Sequence, residues 1–202
     1  YYQAQADKSY SAFQKELWYP EIGQCGARTA DNQRYEHPSV QEVFIPQMHG
    51  VLTEKQAVQS FRRLRYLYAQ TSRFGVPIMF KNDVWSLMWS QHYMPSGDMC
   101  TTYMAAAKCG LAEEYYPYFE TILKAPLKSY HAGIGLSTGQ DGATDSLESG
   151  VADGQIPIAW AVAEGLFGVS PDGEPGKVKI APNLPAEWKD AAASFNDISF
   201  NI

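Results

Sequence analysis

Three cysteines, Cys25, Cys100 and Cys109, are all that the chain carries, and none stands in a C-x-x-C pair. An odd count argues against a disulfide framework and leaves the compartment open. Cys100 and Cys109 bracket one expected helix, about 13 Å apart along its axis, too far to bridge. Buried free thiols are the expectation. No His/Cys spacing fits zinc, and the four histidines are scattered, so no metal set is expected. The net charge is −6 and no lysine/arginine cluster is interleaved with aromatics. Arg62, Arg63 and Arg65 form the only basic cluster and read as the solvated face of a helix, which excludes nucleic acid as a partner. No apolar run reaches membrane-spanning length, so no membrane partner is expected. GIG and STGQDG are followed neither by G-K-[ST] nor directly by a helix, which argues against a nucleotide cofactor. G-L-S-T-G at 135–139 fits G-x-S-x-G by spacing alone, with no helix pattern directly after it, and no Cys/His pair supports a thiol hydrolase.

What is present is an ordinary globular balance, 45% apolar and 19% charged over 202 residues, enough for one domain with a real core. Aromatics are abundant at 13%, with five Trp and thirteen Tyr. Such rings fill cores, and they also stack on sugar faces. Residues 2–18 read as a helix with Ala6, Tyr10, Phe13 and Leu17 on one stripe. Residues 20–50 read as irregular, with Asp31, Arg34, Glu36, His37 and Glu42 concentrated there and a helix starting near Ser39, disturbed by Pro46. Thr53 and Gln56 form a capping box for a helix to about Arg73, with Ala57, Phe61, Leu64 and Tyr68 inward.

Next, Asp83, Trp85, Trp89, His92 and Asp98 are compressed into one short segment. Trp85 and Trp89, four apart, share a helix face: a core pair or a stacking platform. Helices near 97–109 and 112–124, joined through Cys109-Gly110-Leu111, predict an antiparallel α-hairpin. Pro117 should kink the second helix or mark its start. Residues 125–152 read as a long glycine-rich loop bearing Asp141, Asp145 and Glu148.

The stretch from Glu148 to Trp188 carries the most information. Asp153 suits a helix cap and Pro157 a first turn. Ile156, Ala159, Trp160, Ala163, Leu166 and Phe167 follow at helical spacing, predicting the buried face. Gly165 and Gly168 bracket the helix end, and Val178 and Ile180 alternate in a short piece before NLPAEW. A last inward helix, then GLFGVSPD, a short strand and the closure P-x-L-P-x-x-W resemble the end of the catalytic domain in six-hairpin (α/α)6-toroid glycosidases, including the α-rhamnosidase-like and trehalase-like clans. GVLTEKQA before a long helix is also similar to those proteins.

The resemblance implies an all-α chain that supplies about half of an (α/α)6 toroid as α-hairpins, with short β segments at its C-terminal end. It divides the chain into residues 1–170, part of a toroid catalytic domain, and 171–202, a closing segment leading to a β-domain. The chain reads as a fragment whose partner is the remaining half of the toroid, before Tyr1 or on another chain. The implied activity is glycoside hydrolysis by two carboxyl groups acting on a carbohydrate substrate without a cofactor, in a periplasmic or extracellular setting. In trehalase-like members the base is a Glu just before the last inward helix, whose start carries a Trp. Glu148, ahead of Asp153 and Trp160, matches that order, although Ser149 replaces the aromatic that often follows. Asp31, Glu36 and Asp145 are the candidate partner carboxyls. Trp85, Trp89, Trp160 and His37 are candidate sugar contacts. Two alternatives stay open: a non-catalytic carbohydrate-binding or scaffold toroid, and a polysaccharide lyase, for which Tyr130-His131 is the hint. Folds of this kind host many functions.

Overall fold

The computed structural model describes residues 1–28, 30–36, 39–71, 75–79, 94–124, 135–138, 144–148, 155–171, 177–188, 192–195 and 198–201. These residues form a mostly helical fold with short two- and three-stranded ladders. Among them, no helix is long and apolar enough to cross a membrane.

Helix α4 (Ser96–Ala107) is the axis of the packing. Its sequence is small or apolar on every side, and Met99, Cys100, Thr102, Tyr103, Met104, Ala105, Ala106 and Ala107 are all buried. A helix apolar all round belongs inside a core. Gly110, at φ 75°, supplies the left-handed stop. The chain then returns as α5 (Ala112–Lys124), giving the expected α-hairpin, with Tyr103 stacked on Phe119 at 4.2 Å. Pro117 lies inside α5 and does not mark its start.

Helix α3 (Glu54–Tyr68) begins with the expected capping box: Thr53 N–H donates to Gln56 Oε1 at 2.9 Å, and Gln56 N–H donates to Thr53 Oγ1 at 3.3 Å. Ala57, Phe61, Leu64 and Tyr68 are buried as predicted. The helix ends at Tyr68, short of the expected Arg73. The chain turns into β5 (Ala69–Thr71), which pairs antiparallel with β6 (Pro77–Met79). Full burial of Ile78 and Met79 on β6 outweighs the extra helical turn. Arg62 and Arg65 reach across to Glu114 on α5 at 3.2 and 3.1 Å, while Arg63 lies half-buried.

Helix α1 (Tyr2–Glu16) corrects one expectation: it buries no residue fully. Ala6 and Tyr10 are exposed, and only its last turns, through Phe13 and Gln14, meet the rest of the chain. Gln14 Nε2 donates to Val51 O at 2.8 Å. The stretch expected to be irregular is more ordered than that reading. β1 (Trp18–Tyr19) pairs with β2 (Gln24–Cys25), and β3 (Ala27–Arg28) pairs with β4 (Arg34–Tyr35), both antiparallel. Gly26 between the ladders faces the Tyr35 carbonyl and the Tyr19 ring, which a Cβ would meet at 2.6 and 2.7 Å.

Helix α2 (Gln41–Met48) follows, with Pro46 inside it. Its start is half of a capping box, for Glu42 Oε2 accepts from Ser39 N–H at 2.6 Å. Pro46 has no N–H, so the Glu42 carbonyl loses its intrahelical donor. The Cys25 thiol takes that place and donates to Glu42 O at 2.9 Å. A buried cysteine thus answers the gap that a helix proline opens.

Helix α6 (Gln155–Trp160) runs into a π-helical turn, Ala161–Leu166, and both pack on α4. The wider turn, with Phe167 N–H donating to Val162 O at 3.0 Å, rotates the face away from the one the sequence predicts. Ala161, Gly165, Leu166 and Phe167 are buried, whereas Ile156, Ala159 and Trp160 are exposed and Ala163 is intermediate. Gly165 is the close approach to α4: a Cβ there would meet the Tyr103 ring at 3.1 Å. Gly168, at φ 64°, ends the helix as expected. β10 (Val169–Pro171) then pairs with β11 (Val178–Ile180). Asn183 clips the returning chain onto the helix end, donating from its backbone to Leu166 O at 2.8 Å and from Nδ2 to Gly165 O at 3.0 Å. Pro185 is buried, and Trp188 sets its edge against Tyr116 at 6.1 Å. β12 (Ala192–Phe195) and β13 (Ile198–Asn201) form a last antiparallel pair.

Candidate functional site

Glu148 does not lie in a loop. It is the last residue of β9 (Thr144–Glu148), which pairs antiparallel with β8 (Gly135–Thr138); β8 in turn pairs with β7 (Met94–Pro95). The glycine-rich composition of 125–152 suggested a loop because it hid two short strands, β8 and β9, that pair with each other and with the remote β7. The register places Glu148 opposite Gly135, and Gly135 opposite Pro95. Two strand spacings separate Glu148 from Pro95, roughly 10 Å between Cα atoms.

Pro95 is the residue before α4, so this row ends at the start of the central helix. Asp98 stands in the first turn of α4, where a carboxylate complements the free N–H groups and dipole. It is held from α2: Gln41 Nε2 donates to Asp98 Oδ1 at 3.0 Å. Thr102 Oγ1 donates to the Asp98 carbonyl at 2.6 Å and Thr101 Oγ1 to that of Gly97 at 3.0 Å, fixing the same turn. Two carboxyl-bearing positions, Glu148 and Asp98, are therefore brought to one corner by a ladder and a helix start.

The other sequence candidates distribute as follows. Asp145 is on β9 with Glu148, at the register shift between Ser146 and Thr144, where the pairing skips one residue. Asp31 and Glu36 are exposed, at the turn and exit of the β3–β4 hairpin that leads into α2. Trp160 is on α6, 39% exposed, the half-open state that a stacking ring needs. His37, Trp85 and Trp89 lie outside the described residues, as does the expected cap Asp153. Among the described residues, no group of three or more His, Cys, Asp or Glu side chains could hold a metal ion.

Of two further residues at this corner, Gln41 was not singled out from the sequence and Glu42 was named only among the acids of residues 20–50. Gln41 carried no signal. Glu42 carried one, the S-x-x-E spacing from Ser39. Burial raises the pKa of Glu42, against the lowering effect of the Ser39 N–H bond. Its place in the capping box gives it a structural task. Burial makes Cys25 and Cys100 inert, pushing both up to about 12, while Cys109, also raised, stays partly exposed. No protein-family model matches the chain, and a search of curated proteins returns no similar sequence.

Proposed function

We propose that the chain is part of a glycoside hydrolase of the six-hairpin toroid type, with Glu148 as general base and Asp98 as the partner carboxyl. The observation that carries this reading is the register Pro95–Gly135–Glu148, which runs from the candidate base to the helix turn bearing Asp98. An inverting hydrolase needs its two carboxyl groups about 6.5–9.5 Å apart, with room for a water between them. Backbone positions separated by roughly two strand spacings and one helical turn bring that pair spacing within reach. Glu148 would take a proton from the attacking water, and Asp98 would give one to the departing sugar oxygen, for which it must be protonated against the preference for the ionised form that the helix start and the Gln41 side-chain N–H impose. The mobile electron pair of the glycosidic bond leaves with that oxygen.

The closing motif behind the resemblance supports the same reading. GLFGVSP, residues 165–171, forms the end of the π-helical turn, Gly168 and β10, and P-x-L-P-x-x-W is the segment clipped by Asn183 and seated through Pro185 and Trp188. The motif is thus one packed unit against the helix that follows Glu148. Trp160 adds a half-exposed ring on that helix.

The test is turnover of a panel of aryl glycosides and oligosaccharides by the unsubstituted protein, by Glu148→Gln and by the solvent-facing control Glu113→Gln. Loss of a general acid/base group costs on the order of 10²–10⁴ in rate. The expected result is that loss for Glu148→Gln alone, with unchanged melting temperature. Equal turnover by all three proteins would remove Glu148 from the chemistry. Saccharide-induced stabilisation without any turnover would favour a binding module.

A further inference from the structure

The three neighbouring arginines of α3 are not deployed alike. Arg62 and Arg65 share one carboxylate, that of Glu114 on α5, at 3.2 and 3.1 Å. Arg63 is half-buried, its Nε is closed off without a hydrogen-bond partner, and among the described residues no carboxylate pairs with it. Its guanidinium lies 5.4 Å from the centre of the Tyr66 ring, and Tyr66 is 78% exposed. Packing and that ring, in place of an acid, hold this cation where it is. Beside the pair runs a row of exposed residues at helical steps of four, three and four: Lys55, Gln59, Arg62 and Tyr66. No acid stands on the row, and α3 as a whole carries four bases against one acid in a chain of net charge −6. The opposite face of α3 is locked into the core through Ala57, Phe61, Leu64 and Tyr68, so the row is presented on a rigid support.

We propose that this face of α3 docks an acidic amphipathic helix of a partner protein, with Tyr66 and Arg63 as its anchor. Steps of four and three are the spacing along which two helices meet. Lys55 and Arg62 on the row, and Arg63 at its edge, are complementary to carboxylates at the facing positions. Arg63 has no intramolecular carboxylate to give up, and its orientation is already set, so pairing it costs less ordering than an exposed side chain requires. Tyrosine and arginine are the residues on which binding energy concentrates. An exposed ring next to a fixed cation meets the apolar and the acidic side of one segment together. A nucleic acid fits less well, because its phosphates extend far beyond one row and the net charge of −6 opposes them.

The experiment titrates the full chain against a fluorescein-labelled synthetic helix of alanine and leucine, with glutamates at steps of four, three and four, and reads anisotropy at low and moderate salt. The same helix with lysine for glutamate and a short duplex DNA are the comparison probes. The expected result is binding of the acidic helix alone, weakened by salt. Tyr66→Ala and Arg63→Lys both keep the net charge, and each should weaken binding roughly tenfold or more. Lys124→Ala removes a cation on α5, away from the row, and should change binding less than about twofold. Circular dichroism and melting temperature establish that the variants fold, and Tyr66→Ala, at an exposed position, carries the test if Arg63→Lys does not fold. No binding of the acidic helix overturns the proposal, as does binding that both charge-conserving variants leave unchanged. Equal or tighter binding of the duplex or of the lysine helix overturns it as well.

Discussion

Replacing Gly168 by alanine should cost far more than the same change at Gly110, and the difference can be worked from two local geometries. Both glycines follow a helix and both have positive φ, 64° and 75°. For any residue with a Cβ that conformation costs roughly 1–2 kcal/mol. At Gly110 nothing lies within 4 Å of the added carbon, so that is the whole cost. At Gly168 the carbon would fall well inside contact with the Ala181 carbonyl and would come within 2.8 Å of Pro182 N. Backbone cannot rotate away as a side chain can. Relief requires moving residues 181–183, which sacrifices Ala181 N–H to Gly168 O and Asn183 N–H to Leu166 O, now at 3.0 and 2.8 Å. Each backbone bond contributes about 1 kcal/mol net. The expected totals are about 1–2 kcal/mol for Gly110→Ala and about 3–4 kcal/mol for Gly168→Ala. Urea titrations followed by tryptophan fluorescence read both from the shift in midpoint at constant slope. Equal losses for the two variants would refute the claim that the closing segment is seated on the end of the π-helical turn.

Two further predictions concern the cysteines. Cys25→Ala should destabilise by about 1–2 kcal/mol, because the Glu42 carbonyl loses its donor as well as apolar contact. Most of the hydrogen-bond part should vanish in a Pro46→Ala background, where the new N–H reclaims that carbonyl; a double-mutant cycle with no coupling would contradict the pairing. Alkaline pH should destabilise the fold. Burial pushes Cys25, Cys100 and Tyr116 up to about 12 in the folded chain, against about 8.5 for an ordinary thiol and about 10 for an ordinary tyrosine. The folded pKa values are raised, so the stabilisation is full below the unfolded values and is lost as pH rises toward about 12. Melting temperatures that hold level from pH 8 to 11 would contradict that burial. A disulfide-forming thiol reagent at pH 8 should label Cys109 in the native chain and reach Cys25 and Cys100 only after unfolding.

Local chemistry was legible in the sequence wherever a few neighbouring residues decide the outcome. Thr53 and Gln56 capped α3, Gly110 turned α4 into α5, and Gly168 stopped the last helix, because caps and left-handed stops depend on residues within one turn. The buried stripe of α3 was legible for the same reason, an uninterrupted period of 3.6. The failures have a common origin in what the chain meets elsewhere. β7 pairs Met94 with Leu136, and no local pattern announces partners that far apart, whereas β8 and β9 are neighbours in sequence whose short polar strands were hidden among glycines. Glu148 was misread as a loop residue because the short strand that ends on it, TDSLE, carries no alternating apolar pattern. The inward face of α6 was misassigned because a straight 3.6 period cannot anticipate a π-helical turn whose Gly165 presses on Tyr103. Asp98 was counted among many acids, and only the fold sets it beside the row that contains Glu148.

A double-mutant cycle on kcat/KM tests that pairing most directly. Glu148→Gln and Asp98→Asn are assayed singly and together, on the best substrate of the glycoside panel, with circular dichroism confirming equal folding. Groups that act as one unit lose their effect together, so the account predicts a loss on the order of 10²–10⁴ for each single variant and little further loss in the double. Full activity in Asp98→Asn, or losses that multiply in the double variant, would contradict it.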